Sequence, residues 1–502
     1  MKKLLLPLLL LFALAISKIN AQSAGWCHLS HETKADMKDR LFHNRAQLQN
    51  AAIVRSGVMW LPIKIHIVRD SDGTNGIVQS RIFDMMCALN EDFLDQDIQF
   101  FVSGNFNFID NSSINTNQNT NAAFNRFLDD KVSTAINLFL VESIPSGSTG
   151  GTTLAYYLGA QFDWLVSRKD QINSTSETIT HEMGHYFTLD HPFNGWDDQF
   201  YDEATFGNPA PAISPDGIPT ELQNGSNCLT AGDYICDTPP SYNISWPNCN
   251  YTGGIQDPNG TPIDPDETNI MDYFIGCAES FTNQQKVLIE ADMMARTYLH
   301  TNLDPDVSPI AEAPSLVYPI NDEETFAYNS ITFEWDAVPT ATEYLIEIDR
   351  FGTFTFNPFF KIVTGTSATI TDIFEPNKIY YWRIKPIKDG YYCAPISSLG
   401  KFESGDQITS VNDPKEVLNF NISPNPVTTE QTLNINVETN QTFDANIHLY
   451  SLSGQRVKSI SQDFAFGNTS IELSVNDLTE GLYILSIETA TGVLNEKIVV
   501  TR

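Results

Sequence analysis

Positive charge is scarce in this chain. Its 502 residues hold 29 Lys and Arg against 62 Asp and Glu, a formal net charge of -33. That balance disfavours nucleic acid and anionic membranes as partners, since both need compensating cations. It suits divalent cations and solubility outside a cell. Long apolar runs are scarce too. Beyond the first residues nothing approaches the ~20 apolar residues of a spanning helix, so no transmembrane segment is expected. Cysteine is sparse, seven residues in all. In an exported chain an odd count implies disulfides with one thiol left over.

Export is indicated by the start. Met1-Lys2-Lys3 precedes an apolar core from Leu4 to Ile16, and Ile19-Asn20-Ala21 ends in a small residue. This is the pattern of a secretory signal peptide, residues 1–21, cut after Ala21. A lipoprotein reading through Cys27 is disfavoured because Trp26 stands where a small residue is needed. The mature length fits about three domains. Residues 22–57 are short, polar and rich in helix formers, too few to bury a core of their own, and read as a pro-segment.

The centre of the sequence is Thr180-His181-Glu182-Met183-Gly184-His185-Tyr186-Phe187-Thr188-Leu189-Asp190-His191. His181 and His185 stand four apart, which puts both imidazoles on one face of a helix. Zinc favours such nitrogen ligands in a tetrahedral shell. Glu182 is placed to accept a proton from a water activated by the metal. His191 supplies a third ligand if the chain turns sharply after the helix, leaving a fourth position open as in catalytic sites. The pattern resembles the metzincin HExxHxxGxxH, with Thr188 at the glycine position. A β-branched residue held at positive φ costs about 1–3 kcal/mol. Either that strain is tolerated, or the turn is built differently, or Asp190 ligates instead of His191. The bland alternative is two histidines on the polar face of an ordinary helix. A gluzincin, with a downstream Glu as third ligand, is a further alternative.

Alternation and periodicity predict strands at Trp60 to Val68, Ile98 to Phe108, Ala135 to Val141 and Asp163 to Val166. An edge strand over Gly150 to Ala155 could bind an extended peptide by β-addition. Gln79 to Leu94 reads as a helix with Ile82, Met85, Met86, Leu89 and Phe93 on one stripe. Asn105 to Asn125 is expected to loop out, and Ser174 or Thr175 to cap the helix of the two histidines. A loop-rich half follows to about His300. It contains Gly232-Asp233-Tyr234-Ile235-Cys236-Asp237-Thr238-Pro239 and Asn269-Ile270-Met271-Asp272-Tyr273, then Phe281 to Gln285 opening a helix.

With His181 to His191, these motifs resemble the pappalysin (cytophagalysin) metzincins over about Trp60 to Thr301. The resemblance implies an α+β metzincin catalytic domain at residues 58–302. It implies His181, His185 and His191 on zinc, Glu182 as general base, and Met271 as a Met-turn floor beneath the histidines. Tyr273 would stabilise the oxyanion. Calcium would be held by Asp233, Asp237 and Thr238. Disulfides are implied for Cys249 with Cys277 and, more weakly, Cys228 with Cys236. A Cys27 thiolate on the open zinc position would hold a zymogen latent; otherwise Cys27 is a surface cysteine or a partner for Cys87.

Two all-β sandwich domains are expected to follow. Residues 314–404 carry short alternating strands with Trp335, Tyr381 and Trp382, similar to a fibronectin type III domain; Cys393 is buried or free there. Residues 417–502, with Ser423-Pro424-Asn425-Pro426-Val427, Gly481 to Ile487 and Lys497 to Val500, resemble the C-terminal sorting domain of type IX secretion substrates. That implies the type IX machinery as a partner, and a Gram-negative source exporting the protein through the periplasm to its outer surface or the medium. The function implied is a secreted zinc endopeptidase acting on extracellular proteins or peptides. The rival is a catalytically impaired surface adhesin using its sandwiches.

Overall fold

The computed structural model describes residues 29–50, 57–145, 152–244, 249–274, 276–354, 358–407, 414, 416–428, 430–451, 455–489 and 491–502. The expected leader, Cys27 and Gly150-Gly151 lie outside these residues. The chain divides into two units, Met1–Ala311 with Ile387–Pro395, and Glu312–Pro386 with Ile396–Arg502.

The first unit opens with α1 (His31–Asn50) and is built on a six-stranded sheet. Its central strand, β1 (Met59–Arg69), carries Leu61, Ile63, Ile65 and Ile67, all fully buried. β2 (Ile98–Val102) and β3 (Asn107–Asp110) pair parallel with successive stretches of β1. β4 (Ile136–Val141) pairs parallel with β1 and β6 (Trp164–Arg168) parallel with β4, while β5 (Ala155–Leu158) closes the edge antiparallel. Near-continuous apolar runs such as β4 suit strands buried on both faces, as in parallel sheets. Parallel neighbours require crossover segments. α2 (Gln79–Asp92) serves β1 and β2, burying Ile82, Met85, Met86 and Leu89 as the periodicity predicts. Phe93, just beyond the helix, is buried too.

Two expectations fail here. Residues 105–125 do not loop out; they form β3, α3 (Ser112–Thr116) and the start of α4 (Asn121–Asp130). Asn111 Oδ1 accepts from Ile114 N and Thr120 Oγ1 from Ala123 N, so these polar residues start helices rather than exclude them. The edge strand begins at Ala155, where the expected one ends.

α5 (Thr178–Tyr186) carries the two histidines. Neither Ser174 nor Thr175 caps it: Thr175 gives its N–H and hydroxyl to Asn173 Oδ1, an Asx turn that ends before the helix, and Glu177 holds the cap position without a side-chain bond. The half that follows is loop-rich, with a short α6 (Glu203–Phe206) and a core of Phe193, Trp196, Tyr201, Tyr242 and Ile263. α7 (Asn283–Ala295) opens with a capping box between Thr282 and Gln285.

Cys228–Cys236 and Cys249–Cys277 are bonded, as the resemblance implied. Cys393 is not free: it bonds Cys87 of α2, within the first unit. A separation of 306 residues hid this pair from sequence reasoning.

The second unit contains two pairs of sheets. β7 (Leu316–Tyr318), β8 (Glu323–Glu324), β9 (Ser330–Trp335), β10 (Glu343–Asp349), β11 (Phe359–Val363), β12 (Ser367–Thr371), β13 (Ile379–Ile387) and β14 (Gly400–Glu403) form sheets ordered β11-β10-β13-β14-β8 and β12-β9-β7. Trp335 and Trp382 are buried as expected, but Tyr381 is not a core residue; Tyr380 is, because neighbours on a strand face opposite ways. The second pair spans residues 417–501, and its core runs through Leu433, Ile435, Leu449, Leu485, Ile487 and Ile498. Among the described residues no helix is long and apolar enough to cross a membrane.

Candidate metal centre

Three imidazoles meet at α5 and the turn that follows it. His181 and His185 come from successive turns of α5, and His191 from the turn after it. Their Nε2 atoms lie 3.2 Å (181–191), 3.1 Å (181–185) and 3.1 Å (185–191) apart. Each Nδ1 is taken: His181 by Ile270 O at 2.8 Å, His185 by Leu189 O at 2.7 Å, His191 by Asp197 Oδ1 at 2.7 Å. Each acceptor calls for a proton on Nδ1, which leaves three Nε2 lone pairs facing one another. Only a shared cation satisfies three such lone pairs at once. Zinc bonds of roughly 2.05 Å in a tetrahedral shell set nitrogens about 3.3 Å apart, close to what is observed. Burial and the neighbouring imidazoles push the His181 pKa down to about 3 and that of His185 well below its ordinary value. His181 and His185 are therefore neutral and able to ligate near pH 7. Glu182, fully buried, stands next in sequence.

The floor is Met271. It is fully buried, and a Cβ on Gly184 would lie 2.2 Å from its Sδ, so α5 can approach this closely only with glycine there. The turn around it is held by Asn269, whose Oδ1 accepts from Met271 N and whose Nδ2 donates to Gln285 Oε1 of α7. Tyr273 lies just beyond, its ring centroid 5.0 Å from that of His191 and 5.8 Å from that of His181.

Thr188 does adopt the left-handed conformation, at φ 79°. Of the three alternatives at this turn, strain is tolerated and the geometry is kept. His191 joins the cluster. Asp190 does not: its Oδ1 accepts from His191 N. Behind His191, Asp197 meets Lys34 of α1, with Nζ 2.5 Å from Oδ2.

A second buried cluster lies in the loops. Glu221, Asp233 and Thr238 are each under 5 % exposed. Glu221 Oε2 rests over Gly232, where a Cβ would approach it to 2.0 Å. Burial first, and then the charge of Asp233, push the Glu221 pKa up to about 10; burial raises that of Asp233 well above the usual carboxylate range. Glu221 Oε2 and Asp233 Oδ2 accept no hydrogen bond. The Thr238 hydroxyl is near enough to Asp233 to oppose the rise but makes no aligned bond. These are hard oxygen donors, a set that suits calcium. Asp237 is engaged elsewhere, accepting from Thr282 Oγ1 at 2.7 Å and Gln284 N at 2.9 Å at the start of α7.

Comparison with known proteins agrees with the histidine cluster. The chain is similar to extracellular metalloproteases. One, from Sordaria macrospora, is 25 % identical over 241 residues, covering 45 % of this chain and 71 % of the relative. Another, from Neurospora crassa, is 25 % identical over 261 residues, covering 47 % and 78 %. Residues 421–501 match the secretion system C-terminal sorting domain, which supports secretion or display at the cell surface. Solved fibronectin domains of chicken CNTN1 align at 13 % identity over 38 % of this chain and 67 % of theirs. Their TM-score of 0.16 is too low to carry an argument.

Sequence reasoning missed Lys34, Asp197 and Glu221. Asp197 had a local signal, six residues after His191 in a turn. Glu221 and Lys34 had none, since their partners lie far along the chain.

Proposed function

We propose that the chain is a secreted zinc endopeptidase of the pappalysin metzincin type, cleaving proteins or peptides. The observation that carries this reading is the convergence of three Nε2 lone pairs with every Nδ1 already bonded. His181, His185 and His191 hold the metal. Bound there, zinc supplies Lewis acidity, polarising the scissile carbonyl and lowering the pKa of water toward 7. Glu182 accepts the proton as water attacks and passes it to the leaving amine. The Tyr273 hydroxyl donates to the developing oxyanion. Met271 fixes the floor, and β5, the outermost strand on its side of the sheet among the described residues, offers its edge to an extended peptide. Glu221, Asp233 and Thr238 would hold calcium, which would tie the loop-rich half together. Residues 314–404 act as a spacer, and 417–502 direct export from the periplasm by the type IX machinery.

The test is zinc content and casein hydrolysis of the purified chain beside Glu182→Ala. The variant should keep stoichiometric zinc and lose activity by several orders of magnitude. A variant keeping more than a few per cent of parent activity would remove Glu182 from the mechanism, and a parent without zinc would sink the reading.

A further inference from the structure

We propose that helix α1 is a working part of the metal centre, in which Lys34 positions the third ligand, His191, through Asp197. The inference rests on the zinc reading above. Lys34 Nζ lies 2.5 Å from Asp197 Oδ2, 3.2 Å from Asn194 Oδ1 and 3.8 Å from Asp190 Oδ1. The other oxygen of Asp197 accepts from His191 Nδ1 at 2.7 Å, and Asp190 Oδ1 accepts from His191 N. One ammonium thus serves two carboxylates that grip the same histidine from its ring and its backbone. Without Lys34 the Oδ2 of Asp197 loses its charge-assisted partner, and the carboxylate is then held less firmly where its other oxygen accepts from His191 Nδ1.

The helix does not depend on Lys34 to stay in place. Met37 and Leu41 are buried at 1 % exposure each. Arg40 Nη1 reaches Asp292 of α7 at 3.0 and 3.2 Å, and Asn44 Nδ2 donates to the same carboxylate at 3.0 Å. Anchoring and positioning therefore fall to different residues of one helix, and can be separated.

The experiment uses the full chain. Zinc affinity is measured by chelator competition, and the ligand field by the visible spectrum of the cobalt-substituted protein. Lys34→Met should weaken zinc binding by on the order of ten- to a hundredfold, the range found for partners of ligating histidines, and change the cobalt spectrum. Lys34→Arg should stay within about threefold of the parent, because it restores the cation. Met37→Ala should lower the unfolding midpoint with parent zinc affinity. Should Lys34→Met not fold, Lys34→Gln, which keeps a donor without the charge, is read the same way. A Lys34 variant with parent affinity and parent spectrum overturns the inference. So does Met37→Ala weakening zinc as much as Lys34→Met, since α1 would then act by packing alone. A parent that binds no zinc would instead overturn the protease reading beneath it.

Discussion

Single residues decide whether the three histidines can meet, and two are unusual. Thr188 holds φ 79° with its hydroxyl buried and unbonded. The strain, about 1–3 kcal/mol, exceeds the extra chain entropy that glycine would cost. Thr188→Gly should therefore stabilise the protein by on the order of 1 kcal/mol in denaturant unfolding and leave zinc content unchanged; a destabilised variant would show that the threonine methyl contributes more than the strain costs. Gly184 works in the opposite sense. With Met271 Sδ 2.2 Å from the position of a Cβ, Gly184→Ala must push the Met271 turn away from α5. Ile270 O, one residue earlier, orients His181. The variant should lose at least tenfold in peptide hydrolysis and bind zinc more weakly; parent-like kinetics would show that the turn yields without moving its carbonyl. The histidine cluster was legible because His181, His185 and His191 lie within one helix and one turn, where spacing is geometry. Lys34 was not, because a lysine on a polar segment looks the same whether it meets water or a buried carboxylate.

Elements are joined by buried charge as much as by apolar packing. Asp163, after β5, accepts from Arg296 Nη1 at 2.8 and 2.9 Å and from the hydroxyls of Tyr157 and Tyr186, at the end of α5. Arg296 also meets Asp292, which Arg40 of α1 shares. Two acids and two guanidinia thus balance where α1, α5, β5 and α7 converge, and breaking such a set by removing one partner costs about 3–5 kcal/mol. Periodicity made β1, α2 and β4 readable, since both faces of these elements obey simple burial patterns. The asparagine-rich stretch misled because Asn111 and Thr120 are both polar loop formers and good helix caps. The loop-rich half is held by disulfides and by side-chain bonds to the backbone, which periodicity does not report. There the Glu221–Asp233 pair makes a prediction of sign. Glu221 has a folded pKa near 10 against an ordinary 4.5. Without a cation the folded state holds a proton that the unfolded chain releases, so stability is highest below about pH 4.5 and falls as pH rises toward 10. In the proposed calcium site the cation would take the place of that proton. Chelated protein should therefore lose thermal stability between pH 5 and pH 9, by roughly these bounds, and added calcium should restore it most at the alkaline end. An unfolding midpoint indifferent to calcium at alkaline pH would exclude the site.

At the scale of the whole molecule, the last sandwich has a core of its own. The last sandwich packs Val427, Leu433, Ile447, Leu485, Ile498 and Val500 against one another, and every member of its core lies between residues 427 and 500. Its removal therefore strips no other core of its lining, and domains with their own cores fold independently. The histidine cluster draws every contributing side chain from the first unit, from Lys34 to Gln285. Deleting residues 417–502 should thus leave zinc content and casein hydrolysis at parent levels while changing where the protein is found. Fractionation of the producing cell should recover the truncated chain inside, in the periplasm, with the medium and outer surface depleted. The match of residues 421–501 to a sorting domain motivates this outcome, and the two readouts guard against a trivial one. A misfolded deletion would also stay inside, but without zinc or activity. A truncated, active protease reaching the medium in the normal amount would show that this sandwich is not the export signal.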